Sequence, residues 1–184
     1  DKLEKQVELL KKSKQDIGLI YSWMSYMKGE KELYLYNPKL KGHIFKDMLD
    51  KQAIGNSSTL LVRRQVIEKI GGFDESLPRG NDGDFIRRVC RKYEVDFLPE
   101  VLVKIHIDHG MPRISDDTKK SVQDVIKSLK IRFEKFSDDQ KNYPKEFASI
   151  CLFIAYHYAT IGELKESIFW SLKAITFAPL SVYV

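Results

Sequence analysis

Two carboxylates one residue apart, Asp82 and Asp84, stand between a loop of turn-forming residues and an apolar periodic run. The loop is Pro78-Arg79-Gly80-Asn81-Asp82-Gly83, and the run places Phe85, Ile86 and Val89 beside Arg87 and Arg88. An aspartate at a helix start accepts backbone N–H bonds and gains from the helix dipole, so one reading is a plain N-cap. The functional reading is a general base at a loop–helix junction. A helix N-terminus favours the carboxylate anion. Such a base suits a reaction whose leaving group is strongly activated and needs only modest assistance.

Other residues carry weaker signals. His106 and His109 are three apart, beside Asp108, and imidazole is a common ligand for transition metals. The alternative is a pair of solvated loop histidines. Arg79 and Arg113 have the rigid donor fork that grips phosphate, against the plainer reading of exposed surface arginines. Tyr21, Trp23 and Tyr26 are of a type that stacks on a sugar, but a strand of that composition is more often core. Phe153, Tyr156, Phe169 and Trp170 read as packing within a helical hairpin, with a partner-facing or membrane-facing surface as the alternative. The Lys11-Lys12-Ser13-Lys14 and Lys119-Lys120 runs lack interleaved aromatics and read as solvated helix faces rather than nucleic-acid patches.

The elements that must position these groups follow from periodicity. Leu3, Val7, Leu9 and Leu10 share one helical face, and the helix should end near residues 13–15. Residues 17–23 read as a buried strand, and residues 32–36 as a second, stopped by Asn37-Pro38. Residues 43–51 return to helical spacing. Residues 58–62 predict a strand and residues 64–70 a short helix closed by Gly71-Gly72, since glycine readily takes the left-handed C-cap. The turn at 78–83 leads into a helix over about 84–92, then two strands at 95–99 and 101–107. A long amphipathic helix over 117–136 follows, and 147–160 with 164–177 predict a helical pair around Gly162. Tyr158, Gly162, Ala174 and Pro179 fall where a tetratricopeptide hairpin places its Tyr, turn Gly, small residue and closing Pro. One copy cannot stack into a solenoid, so the pair predicts a hairpin on the main domain or the start of a longer array.

Composition bounds the rest. The 184 residues correspond to one domain, or one plus an appendage, at the usual ~150 residues per domain. Hydrophobic residues at 43% and charged residues at 31% exclude wholesale disorder. A net charge of +5 and a pI near 9.0 permit an anionic partner without demanding one. Cys90 and Cys151 make neither a disulfide framework nor a zinc site, which favours a reducing, cytoplasmic setting. The longest uncharged stretch, residues 147–162, is shorter than the ~20 residues that span a bilayer. The chain opens on a charged run with no initiator methionine, so the expectation is a piece of a longer protein.

The stretch Ile70-Gly71-Gly72-Phe73-Asp74-Glu75, then Pro78-Arg79-Gly80-Asn81-Asp82-Gly83-Asp84-Phe85 and Arg88, resembles the inverting family-two glycosyltransferases with the GT-A fold. Those proteins carry an I-G-G-F-D-E stretch, a loop ending in E-D-W-D and a helix containing an arginine. Flanking text agrees in order: residues 1–7 resemble the helix after the family's acidic metal-binding motif, and residues 17–22 the next strand. Residues 55–64 resemble the strand before G-G-F-D, and residues 97–103 the strand after it. The resemblance covers residues 1–115. It departs at Asn81, where an acidic residue is usual, and at Gly83, where Trp is common.

What the resemblance implies is specific. The fold class is α/β, a partial GT-A-like mixed sheet flanked by helices, followed by an α-helical, tetratricopeptide-like extension. Residues 1–115 are the acceptor-side half of the glycosyltransferase domain and residues 116–184 the helical extension. The N-terminal nucleotide-binding half is expected before Asp1, so the chain alone is expected to be inactive. The parent moves a sugar from a nucleoside-diphosphate sugar to a saccharide or lipid-linked acceptor with inversion, as in polysaccharide biosynthesis. Asp82 matches the catalytic base, Arg79, Asn81, Asp84 and Arg88 are the substrate-binding candidates, and Asp84 with Arg88 holds the segment. His109 is the candidate contact to a divalent cation, Mg or Mn. Peripheral association with the inner face of the membrane and a protein partner for the helical tail are further expectations, with no nucleic acid. The rival classes are a non-catalytic interaction module built on a degenerate glycosyltransferase remnant, and a basic nucleic-acid-binding domain suggested by the pI alone.

Overall fold

The structure, a computed structural model, describes residues 1–108 and 119–178. The chain divides into two compact units, residues 1–73 with 82–111 and residues 74–81 with 112–184.

The first unit is built around one strand. Helix α1 (Lys2–Lys12) starts on a capping box in which the Asp1 side chain accepts from the Glu4 amide and Glu4 reaches back to the Asp1 nitrogen. Strand β1 (Ile17–Lys28) follows, then β2 (Lys31–Tyr36), α2 (Phe45–Leu49), β3 (Leu60–Val62), α3 (Arg64–Ile70), α4 (Asn81–Cys90) and β4 (Glu94–His106). One edge of β1 carries β3 against residues 19–21 and β2 against residues 24–28, both antiparallel, while β4 runs parallel to β1 over residues 17–27. Flanked on both edges, β1 buries nine of its residues, and Leu19, Ile20 and Tyr21 are wholly enclosed with Met48, Leu49, Val66, Ile86 and Val89. The result is a mixed α/β fold, a four-stranded sheet flanked by helices in the manner of a partial GT-A domain.

Local chemistry sets the joints. A Cβ on Gly18 would lie 2.8 Å from the Tyr93 Cβ, so only glycine lets β1 pass the end of α4 and the start of β4. The Arg63 guanidinium donates to the carbonyls of Ile17 and Leu10, both at 2.8 Å, tying α1 and β1 to the entry of α3. The Tyr21 hydroxyl donates to the Leu40 carbonyl at 2.8 Å, and burial pushes that phenol well above its ordinary value.

Two of the boundaries that differ from the sequence expectation bear on the site. Residues 95–99 and 101–107 are one strand, not two. Proline breaks ladders because it lacks an N–H, but Ser22 pairs with Leu98 and Trp23 with Val101, so Pro99 and Glu100 bulge out between consecutive rungs. Likewise α4 begins at Asn81 rather than near Asp84. Gly80, with φ +71°, completes the turn three residues earlier than its composition indicates, and Asp82 and Asp84 both fall inside the first helical turn.

The second unit is α-helical: α5 (Lys119–Lys135), α6 (Pro144–Thr160) and α7 (Leu164–Phe177). Pro144 occupies the first helical turn of α6, where its missing N–H costs nothing. Gly162, with φ +84°, makes the tight turn into α7, and Ala174 is buried as a small contact residue. Pro179 lies outside the described residues. Phe133 meets Phe147, Trp170 and Phe177 edge-on at ring centroid distances of 5.6, 5.5 and 5.7 Å. The Lys173 ammonium lies 4.3 Å from the Phe133 ring centre and 4.7 Å from that of Trp170.

The expectation that Phe153, Tyr156, Phe169 and Trp170 all pack inside the hairpin holds for Trp170 alone. Phe153, Tyr156 and Phe169 are 46, 62 and 55% exposed. Leu152, Leu164, Ile168, Leu172 and Ile175 are exposed with them. Periodicity alone marked an apolar stripe on each helix. Those stripes are wider than the hairpin contact needs, and the surplus faces solvent.

The loop that opens this unit is anchored by charge. Lys135 Nζ donates to Asp74 Oδ2 at 2.5 Å, and Ser76 donates to Oδ1 through its amide at 2.9 Å and its hydroxyl at 2.6 Å. Lys135 first, and Ser76 second, hold the Asp74 carboxyl well below the usual carboxylate range. The native chain therefore keeps this anion to lower pH than the unfolded chain does. The stabilisation is fully present above the unfolded value of about 4 and is lost as pH falls through the depressed native value. Thermal melts between about pH 5 and pH 2 should show Lys135→Met losing less stability on acidification than the wild type. Parallel curves for the two proteins would contradict that assignment.

Candidate active site

The first turn of α4 is held by its arginines. Arg88 Nε donates to Asp84 Oδ2 at 2.8 Å, Nη1 to the Ile70 carbonyl at 2.8 Å and Nη2 to the Gly72 carbonyl at 2.6 Å. One guanidinium thus binds the buried acid of α4 and the carbonyls left open where α3 ends at Gly71. Arg87, only 2% exposed, donates from Nε to the Met48 carbonyl at 2.5 Å and from Nη2 to the Lys51 carbonyl at 3.2 Å. It fixes the loop after α2 against α4.

That loop delivers a residue the sequence did not single out. Gln52 Nε2 donates to the Gly55 carbonyl at 3.2 Å and approaches Asp82 Oδ2 at 3.4 Å. Asp82 Oδ1 accepts from the Gly83 amide at 2.8 Å. A Cβ on Gly83 would stand 2.7 Å from Arg87 Nη1 and 3.0 Å from Gln52 Oε1. The bare glycine is thus what admits both side chains, in the place where the resembling family commonly carries Trp.

Asp82 opens onto a cavity of about 280 Å³ whose other lining includes Ser57, Leu61, Val62, Phe73 and Phe85. Among the described residues Asp82 is the single ionisable side chain on that lining. Phe73 and Phe85 meet at 5.5 Å in an edge-on contact, forming one wall. A carboxylate beside an apolar wall, hydrogen-bonded to the neutral groups of Gly83 and Gln52, has the chemistry to accept a proton from a bound hydroxyl.

The remaining candidates are placed as follows. Asp82, Asp84 and Arg88 belong to the first unit, whereas Arg79 and Asn81 group with the helical unit. Arg79 donates to the Ser121 carbonyl at 3.2 Å and to the Ser121 hydroxyl. The Asn81 amide donates to the carbonyl of Asp74 at 2.8 Å and of Leu77 at 3.4 Å. Tyr21 is core, Trp23 donates to the Pro38 carbonyl at 2.9 Å, and Tyr26 is half-buried beside Tyr34. His106 is exposed at the end of β4, and Asp108 accepts from the Gly29 amide at 2.7 Å. His109 and Arg113 lie outside the described residues. Among the described residues no group of three His, Cys, Asp or Glu side chains could hold a metal ion. Asp84, the acid nearest Asp82 in sequence, is bound to Arg88. The described residues do not form a divalent cation's ligand set. No described helix is long and apolar enough to cross a membrane.

Comparison with known proteins gives the family of the chain. Over 120 residues the chain is 30% identical to an uncharacterized glycosyltransferase of Methanocaldococcus jannaschii, a match covering 61% of this chain and 40% of the relative. The chain therefore spans less than half the length of that relative. A family model described as glycosyltransferase like family 2 matches residues 1–161, from α1 through α6. With the mixed sheet, the Arg88-braced turn and that match over most of its length, the chain belongs to glycosyltransferase like family 2.

Proposed function

We propose that this chain is part of a glycosyltransferase, the whole of which transfers a sugar from a nucleoside-diphosphate sugar to a saccharide or lipid-linked acceptor with inversion, and that Asp82 is its general base. The observation that carries the assignment is the position of Asp82, in the first turn of α4 and as the lone ionisable group of an apolar cavity. Its carboxylate takes the proton of the acceptor hydroxyl while that oxygen bonds to the anomeric carbon. The bond from that carbon to the diphosphate breaks in the same displacement, and the nucleoside diphosphate leaves with the electron pair. Attack opposite the leaving group inverts the anomeric centre. Asp84 and Arg88 keep the base-bearing turn in place, while Arg79 and Asn81 remain substrate-contact proposals made from the resemblance.

Mg or Mn, with His109 as a contact, is proposed on the resemblance alone. The same holds for the division into an acceptor-side half over residues 1–115 and a helical extension over residues 116–184. Incubation with a panel of sugar nucleotides and simple glycoside acceptors tests the reading. Release of nucleoside diphosphate together with a new glycoside of inverted configuration, read from its anomeric proton coupling, is the expected result. A product of retained configuration would exclude Asp82 as the base of a single displacement.

A further inference from the structure

Beside Gln52 lies a second, larger cleft of about 530 Å³, lined by Tyr26, Tyr34, Tyr36, Gln52, Asn56 and apolar residues. The tyrosines follow from strand register: Tyr26 pairs with Tyr34 and Met24 with Tyr36, which sets all four side chains on one face of the β1–β2 hairpin. Ring centroids step by 6.2 Å from Tyr26 to Tyr34 and 6.3 Å from Tyr34 to Tyr36. Tyr34 is 57% exposed although it is a large aromatic residue. The Tyr36 hydroxyl donates to the Gln52 carbonyl at 3.2 Å, locking the hairpin to the loop that reaches Asp82.

We propose that this tyrosine-lined cleft is the subsite for a neutral pyranose of a saccharide acceptor. The proposal rests on the reading of Asp82 as the base of glycosyl transfer. A pyranose ring has C–H groups on its faces and hydroxyls at its rim, so it matches aromatic faces interleaved with amides and phenols. The lining carries no charged side chain, so nothing in it complements a diphosphate. A hydrocarbon chain is matched no better, since it offers no hydrogen-bonding group to the amides and phenols of the lining. Gln52 connects the two cavities: it lines the tyrosine cleft, and its amide lies 3.4 Å from the carboxylate of Asp82. A sugar seated on the rings borders Gln52, which places its rim toward the base.

Calorimetric titration and saturation-transfer NMR of the full chain, without donor, test this with neutral cellulose-type, starch-type and chitin-type oligosaccharides. The expected result is binding of at least one class, weakened about tenfold or more by Tyr34→Ala. Tyr34 is exposed, and an unchanged melting temperature for Tyr34→Ala confirms that the fold is intact. Binding that survives both Tyr34→Ala and Tyr26→Ala, or no binding of any class, overturns the assignment. Failures separate cleanly: tyrosine-dependent binding with no transfer removes the base assignment and leaves the cleft. Transfer with an acceptor KM unmoved by Tyr34→Ala removes the cleft and leaves the base.

Discussion

Asp82→Asn should lower the rate of sugar transfer by ~10²–10⁴-fold, the usual worth of a positioned general base, while leaving the melting temperature close to that of the wild type. The substitution keeps the shape of the side chain. Its oxygen still accepts from the Gly83 amide, and its other terminal atom still lies beside Gln52. What disappears is the capacity to hold a proton, so kcat should fall with little change in donor or acceptor KM. Asp84→Asn is the informative companion. Asp84 is buried and bound to Arg88, so its loss should register first as lost stability. A normal rate in Asp82→Asn, or an equal rate loss in both variants at equal stability, would remove Asp82 from the chemistry.

Arg88→Ala is the substitution expected to cost most in stability, on the order of 3 kcal/mol, or a fall in melting temperature of roughly 6–12 °C for a chain of this size. Removing the guanidinium takes a charged partner from a carboxylate whose side chain is only 7% exposed. It also uncovers the carbonyls of Ile70 and Gly72 at the end of α3. Arg88→Lys should recover little, because a single ammonium cannot reach the acid and the carbonyls together. Pairing Arg88→Met with Asp84→Leu should recover most of the loss, since two apolar side chains carry no desolvation penalty. Thermal melts of the four proteins decide the matter. Arg88→Ala melting with the wild type would show that α4 is braced elsewhere.

Much of this architecture was legible because short-range signals fixed it. Arg64–Ile70 and Leu164–Phe177 are helices with the bounds that apolar spacing and the adjacent glycines require. The end of β2 at Tyr36 follows from Asn37-Pro38. What was not legible depends on contacts distant in the chain. Pro99 reads as a strand breaker until β1 is seen to accommodate it in a bulge. The start of α4 is displaced because Gly80 makes a turn that Asn81-Asp82-Gly83 were equally suited to make. The pair Asp82 and Asp84 stood out by type and spacing, but only the packing distinguishes an acid facing a cavity from an acid bound to Arg88. Gln52 carries no local mark at all: a lone glutamine in a loop meets Asp82, 30 positions further along the chain, because Arg87 holds that loop. Tyr34 and Tyr36 read simply as strand residues, and only the register with Met24 and Tyr26 gathers them into one surface.

The apolar stripe left on α6 and α7 bears on the heat capacity of unfolding. Side chains such as Tyr156, Leu164, Ile168 and Leu172 are already largely hydrated in the native helical unit. They add little new apolar hydration on unfolding, so this unit should fall below the ~12–15 cal/mol/K per residue common to globular domains. Its stability curve is correspondingly flatter and less sharply peaked than that of a fully buried bundle. The helical unit thus changes in stability more gradually with temperature than its length alone would dictate.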